Sequence, residues 1–230
     1  MKEQIYTIPI NEAFDRREGC PVCFLGTSLE THSLEYIMGA AMMEPDVRIE
    51  TNKKGFCRPH YAAMLDMKNR LSLALMLESH FTPLKKLIPS PKRDGPGGTK
   101  RAAGDVDKMT RTCFVCERAA EFMKHYYENI IYIWKTEEEF RDKFAGQPFF
   151  CLPHYARLLE YAAAGLDKKR AAAFSEQVNG IERAALERSA AYVSAFCKSF
   201  DHRFAGTPLD DETKTAIESA IALISGGCGL

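Results

Sequence analysis

Two copies of one cysteine and histidine signature constrain this chain more than any other feature. Cys20-Pro-Val-Cys23 is followed by Cys57-Arg-Pro-His60-Tyr61, and Cys113-Phe-Val-Cys116 is followed by Cys151-Leu-Pro-His154-Tyr155. Each copy is a C-x2-C pair and then a C-x-P-H-Y group, with 33 intervening residues in the first copy and 34 in the second. Six of the eight cysteines lie in these motifs. Two such copies require a fold that brings thiolates and imidazoles together twice.

The chemistry of the donors points to metal. Zinc takes four ligands in a tetrahedron, and sulfur and imidazole nitrogen suit it. Read locally, Cys20, Cys23, Cys57 and His60 form one Cys3His site, and Cys113, Cys116, Cys151 and His154 form a second. A cysteine and a histidine three residues apart share one face of a helical turn, so both reach one ion. Pro21, Pro59 and Pro153 mark helix starts, where a missing N–H costs nothing. Unpaired N–H groups and the positive helix end then lie near the sulfurs. Three thiolates with a divalent ion carry a formal charge of −1. Lys53, Lys54 and Arg58 are placed to offset it at the first site. Phe149, Phe150 and Leu152 make the second more apolar. An iron–sulfur cluster with one histidine ligand is the alternative cofactor.

Composition sets the background. A chain of 230 residues suits one large domain or two small ones. Its 46% hydrophobic and 27% charged residues are those of a packed globular protein. Lys+Arg and Asp+Glu balance at 31 each, which gives no electrostatic footprint for nucleic acid or an anionic membrane. The N-terminal stretch has no apolar signal region, and no apolar run approaches the roughly 18 residues that span a bilayer. A cytoplasmic protein with reduced thiols is expected, so its cysteines are read as ligands rather than disulfides.

No stretch alternates at period two, so the expected class is all-α. Two tandem helical units are expected, each around its own Cys3His site. They are residues 1–88 and 109–230, the second carrying long C-terminal helices. Residues 89–108 concentrate proline and glycine and read as a flexible linker. Within the first unit, an extended segment precedes a helical turn at 11–17, and a helix runs from Phe24 to Met38. A polar connection from Glu44 to Gly55 follows, then one long amphipathic segment from His60 to Ile88 interrupted by Asn69 and His80. The second unit places helices over 114–135, 136–146, 153–165 and 167–204, and a last one opening at Thr207-Pro208 and reaching Ile224.

Outside the motifs the plain readings lead. His80 is a hydrogen-bonded core histidine, and His32, His125 and His202 are surface residues. Cys197 is a small buried hydrophobe, and Cys228 lies in an exposed glycine-rich tail. The aromatic residues of the 114–135 helix belong to the core. Glu44, Asp46, Arg48 and Glu50 are dense for one loop, either as a polar site near the first metal or as a solvated connection.

The stretches Tyr6-Thr-Ile-Pro-Ile-Asn-Glu-Ala-Phe14, Gly19-Cys-Pro-Val-Cys23, Met43-Glu-Pro-Asp-Val-Arg48, Thr51-Asn-Lys-Lys-Gly-Phe-Cys57 and Asn69-Arg-Leu-Ser-Leu-Ala-Leu-Met-Leu-Glu-Ser-His80 resemble a bacterial family of unknown function, domain-of-unknown-function family 6062. The resemblance covers most of the chain. It implies no activity, but it does imply that the Glu44–Arg48 loop and the Asn69/His80 face belong to a shared pattern.

The expected role is a zinc-bound binding or scaffold module with an unidentified protein partner. No nucleophile–base pair, phosphate loop or H-E-x-x-H helix is present, so an enzyme is not the leading reading. The alternative is a redox-responsive thiol and zinc sensor, or an enzyme using a labile cysteine ligand. Nucleic-acid binding is disfavoured by the zero net charge and by the absence of classical finger spacing.

Overall fold

A computed structural model describes residues 2–88, 95–201, 203 and 208–227. All regular structure among these residues is helical, as expected from the sequence. The chain divides into two compact units. One comprises Met1–Thr27 and Met123–Leu230, and the other comprises Ser28–Phe122. The second unit is therefore an insertion in the sequence of the first. This differs from the tandem division at 1–88 and 109–230, because the boundaries fall inside helices rather than at the Pro/Gly-rich stretch.

The discontinuous unit begins with α1 (Lys2–Asp15), where an extended segment had been expected. Pro9 lies inside this helix and removes one backbone bond. Burial outweighs that loss: Ile10, Ala13 and Phe14 are all at most 1% exposed. Phe14 lies 4.9 Å from Phe140 and 5.8 Å from Phe144, ring centre to ring centre. Those two residues lie on α8 (Glu138–Ala145), which packs on α1. Phe150 and Phe174 extend the same aromatic cluster.

The start of α2 (Pro21–Met38) and the end of α7 (Phe114–Thr136) also belong to this unit. They are followed by α9 (Leu152–Gly165) and α10 (Lys168–Ser199). The Asp167 carboxylate caps α10 by accepting from the N–H groups of Lys169 and Arg170. The expected last helix is two pieces, α11 (Asp211–Lys214) and α12 (Ala216–Ser225). Asp210 caps the first of them by accepting from the Thr213 N–H at 2.7 Å. Both α9 and α10 pack on α12.

In the inserted unit, the expected polar connection is instead α3 (Pro45–Lys54). It lacks an apolar stripe, but its ends suit a helix. Pro45 sits at the first position, Asp46 in the first turn, and Lys53 and Lys54 in the last. Gly55 is its C-terminal stop, with φ at 62°. The single segment expected over 60–88 is two helices, α4 (Arg58–Asp66) and α5 (Arg70–Leu87). Asn69 makes the break. Its Oδ1 accepts from the Ser72 N–H and its Nδ2 donates to the Met38 carbonyl. Residues 95–108 of the expected linker lie in α6 (Gly95–Arg111), which packs on α5. Residues 89–94 of that linker lie outside the described part. The core of this unit gathers Leu34, Ile37, Met38, Met64, Leu73 and Met76 around Cys113, Phe114 and Val115.

Candidate metal centres

All eight motif residues lie at helix starts. Cys20 immediately precedes α2 and Cys23 lies in its first turn; Cys113 and Cys116 hold the same places on α7. Cys57 is the N-cap of α4 and Cys151 the N-cap of α9, each with its histidine at the third helical position. This is the local geometry the spacing implied.

The partnership is not. Cys20 and Cys23 meet Cys151 and His154, while Cys57 and His60 meet Cys113 and Cys116. Each centre thus joins the C-x2-C pair of one copy to the C-x-P-H group of the other. The reading of two locally closed sites is corrected. Its ligand residues are gathered, but with their partners exchanged. The backbone shows why in the inserted unit. The Phe114 N–H donates to the Gly55 carbonyl at 2.9 Å, and the Thr112 hydroxyl donates to the Lys54 carbonyl at 2.7 Å. These bonds join the approach to Cys57 with the approach to Cys113. The burial of Phe114 and Val115 among Leu34, Met64 and Met76 reinforces the pairing.

In each centre the four donor atoms lie within 4.8 Å of one another. Both histidines present Nδ1. His154 Nδ1 lies 3.5, 3.3 and 3.1 Å from the sulfurs of Cys20, Cys23 and Cys151. His60 Nδ1 lies 3.0, 3.3 and 3.5 Å from those of Cys57, Cys113 and Cys116. The sulfurs of Cys23 and Cys151 are 3.5 Å apart, and those of Cys57 and Cys116 are 3.8 Å apart. A tetrahedral zinc site has edges of about 3.5 Å between sulfur and nitrogen and about 3.8 Å between sulfurs, from its bond lengths. The donor sets fit one ion each.

Proton affinity is uneven among the clustered thiols. Hydrogen bonds from Cys20 and Cys23 hold the Cys151 thiol down at about 4, aided by the His154 backbone N–H and opposed by burial. Burial, reinforced by the neighbouring sulfurs, pushes Cys20 well above the ordinary thiol range. Burial likewise pushes Cys116 up, with Cys113 and Cys57 adding to it. Crowded sulfurs disfavour joint ionisation, and a cation in place of their protons would relieve that cost.

The surroundings of the two centres differ. In the discontinuous unit Cys20, Cys23 and Cys151 are all buried. Gly226 and Gly227, just after α12, close over them. The Gly227 N–H donates to Cys23 Sγ at 3.4 Å, and a Cβ at Gly226 would lie 3.2 Å from Cys151 Sγ. Nothing in the motif spacing signals this contact. Behind Cys151, buried Glu182 accepts from the Phe150 N–H through Oε2. In the inserted unit Cys113 and His60 are buried, Cys57 is half-buried and Cys116 is exposed. Glu30 Oε2 stands 3.7 Å from His60 Nε2, an outer partner of the kind that orients a ligating imidazole. Lys54, expected to offset thiolate charge, pairs with Glu117 at 3.1 Å and Glu50 at 3.6 Å.

A family model matches residues 1–229. The chain belongs to the family of unknown function DUF6062. No curated protein and no solved structure matches this family member.

The remaining candidate residues take structural places. His80 is buried, with Nδ1 3.0 Å from the Asn52 carbonyl, as the core reading expected. The Arg48 guanidinium donates to the carbonyls of Met42 and Leu75, so it ties α3 to its neighbours instead of opening a polar site. His32 is exposed beside Ser28, and His125 faces Glu128 at 3.4 Å. Tyr126, Tyr127 and Trp134 of α7 are buried, whereas Tyr132 is exposed. Cys197 is exposed, which corrects the expectation of a buried residue. His202 and Cys228 lie outside the described residues. No described helix is long and apolar enough to cross a membrane.

Proposed function

We propose that this DUF6062 member is a cytoplasmic zinc protein whose two Cys3His centres are structural and whose helices serve as a binding or scaffold module. The observation that carries this reading is the pair of tetrahedron-sized donor clusters, each with three sulfurs and one Nδ1. Cys20, Cys23, Cys151 and His154 would hold one ion, and Cys57, His60, Cys113 and Cys116 the other. Four protein ligands leave no open coordination position, which is the pattern of structural zinc. When bound, the ion supplies charge neutralisation for the thiolates and a cross-link between distant segments. That contribution is on the order of 10 kcal/mol of folding free energy. Helix starts aimed at each sulfur group support the same assignment.

The partner is read as a protein that meets a helix face. Ile217, Ile221 and Ile224 of α12 are each exposed by more than 40% and recur at helical spacing. The deciding experiment is elemental analysis of protein purified without added metal, followed by chelation under circular dichroism. Two equivalents of zinc and loss of helicity on chelation are expected. Iron in place of zinc, or full helicity after metal removal, would refute the proposal.

A further inference from the structure

We infer that the Cys57/His60/Cys113/Cys116 centre is a peroxide-labile metal centre that opens through a Cys57–Cys116 disulfide, while the Cys20/Cys23/Cys151/His154 centre is inert. The inference rests on the zinc reading of both centres and adds which of them reacts, and through which sulfurs.

The asymmetry lies in which donors face solvent. In the discontinuous unit Cys20 and Cys151 are fully buried and Cys23 is 6% exposed. The half-buried donor there is His154. Solvent therefore reaches this centre at an imidazole, whereas a peroxide needs a sulfur. The Gly227 N–H further occupies Cys23 Sγ, and the bare Gly226 backbone lies against Cys151.

The inserted unit is arranged the other way. Cys116 is exposed in the first turn of α7, Cys57 is half-buried at the start of α4, and Cys113 and His60 lie behind them. The two accessible sulfurs are 3.8 Å apart. They must close to about 2.05 Å to form a disulfide. They also come from different helices.

The chemistry balances with a peroxide as oxidant. The Cys116 thiolate attacks one peroxide oxygen, an S–O bond forms and the O–O bond breaks. The products are a sulfenic acid and hydroxide. The Cys57 thiolate then attacks the Cys116 sulfur, which forms the S–S bond and expels a second hydroxide. Two thiolates lose two electrons in all, and one hydrogen peroxide becomes two hydroxides. Cys113 and His60 alone then remain as donors, too few to retain the ion.

The test uses the full-length, metal-loaded chain carrying Cys197→Ser and Cys228→Ser, so that the motif cysteines are the only thiols. Hydrogen peroxide is titrated in while a chromogenic chelator reports released zinc, and peptide mapping locates the oxidised cysteines. The expected result is loss of one of the two zinc equivalents, with Cys57 joined to Cys116 and with Cys20, Cys23 and Cys151 still reduced. Simultaneous loss of both equivalents, or first oxidation at Cys20, Cys23 or Cys151, overturns the inference and leaves the zinc reading standing. So does retention of both equivalents once peroxide has consumed the Cys116 thiol. Absence of zinc from the starting protein overturns the reading beneath it.

Discussion

The sulfurs of Cys23 and Cys151 lie 3.5 Å apart although 128 residues separate them in the chain. The inserted unit shows the complementary relationship, with Cys113 Sγ 3.3 Å from His60 Nδ1 across 53 residues. The two copies of the motif have exchanged partners, and metal stoichiometry in paired variants reports that exchange directly. A Cys23→Ser/Cys151→Ser variant should lose one metal equivalent, because both changes fall in one centre. A Cys23→Ser/Cys57→Ser variant should lose both. Local pairing demands the opposite pattern, and plasma emission spectrometry of the purified variants distinguishes the two.

Gly226 has φ at 77° and ψ at 173°, a conformation that essentially only glycine adopts. A methyl group there would also stand 3.2 Å from Cys151 Sγ. Gly226→Ala should therefore lower stability by about 1–3 kcal/mol. It should also weaken metal retention at the Cys20/Cys23/Cys151/His154 centre alone. Competition with a chelator, set beside a thermal melt, checks both parts. Unchanged affinity at that centre would show that the Gly226–Gly227 turn does not support it.

Asn69 does two jobs at the break between α4 and α5, capping α5 and donating to the Met38 carbonyl. Loss of an N-cap costs about 1 kcal/mol, and the orphaned Met38 carbonyl adds to it. Asn69→Ala should therefore destabilise the protein by about 1–2 kcal/mol in denaturant melts. Asn69→Asp should restore the cap but not the donation to Met38, and so fall between wild type and alanine.

Glu182 is 3% exposed, and its Oε1 has no hydrogen-bond partner among the described residues. Burial pushes its carboxyl above the usual range, opposed only by the Phe150 N–H. A raised carboxyl value means the folded state holds the proton more tightly than the unfolded chain. That stabilisation is complete below the unfolded value of about 4.3 and is lost as pH rises through the folded value. Glu182→Gln does not titrate, and its amide oxygen can still accept from Phe150. The melting temperature of this variant relative to wild type should increase as pH rises above about 4.3. A flat difference across that range would place the Glu182 charge in contact with water.

The contrast between α3 and the two Cys3His groups shows how much was legible. For α3, the polar run from Glu44 to Gly55 concealed a helix, because its stability comes from its ends and from packing on α5 rather than from an apolar stripe. Pro9 concealed α1 in the same way, since the compensating contacts of Phe14 come from residues more than a hundred positions away. The helical class, the residues that make up the two Cys3His groups and the core place of His80 were all readable. Each depends on periodicity, residue chemistry or spacing within a turn.

What the amino-acid order alone determined was therefore local. It marked the eight side chains that gather into two groups, their placement at four helix starts, and three sulfurs with one imidazole as the make-up of each group. What only the tertiary structure decided was which C-x2-C pair meets which C-x-P-H group. The two copies are chemically interchangeable, so either pairing satisfies a tetrahedral ion equally well. Contacts that no motif encodes broke the tie. Gly55 bonds to Phe114, Phe114 is buried with Val115, and the turn after α12 closes on Cys23 and Cys151. Those contacts also set which centre has a sulfur at the surface.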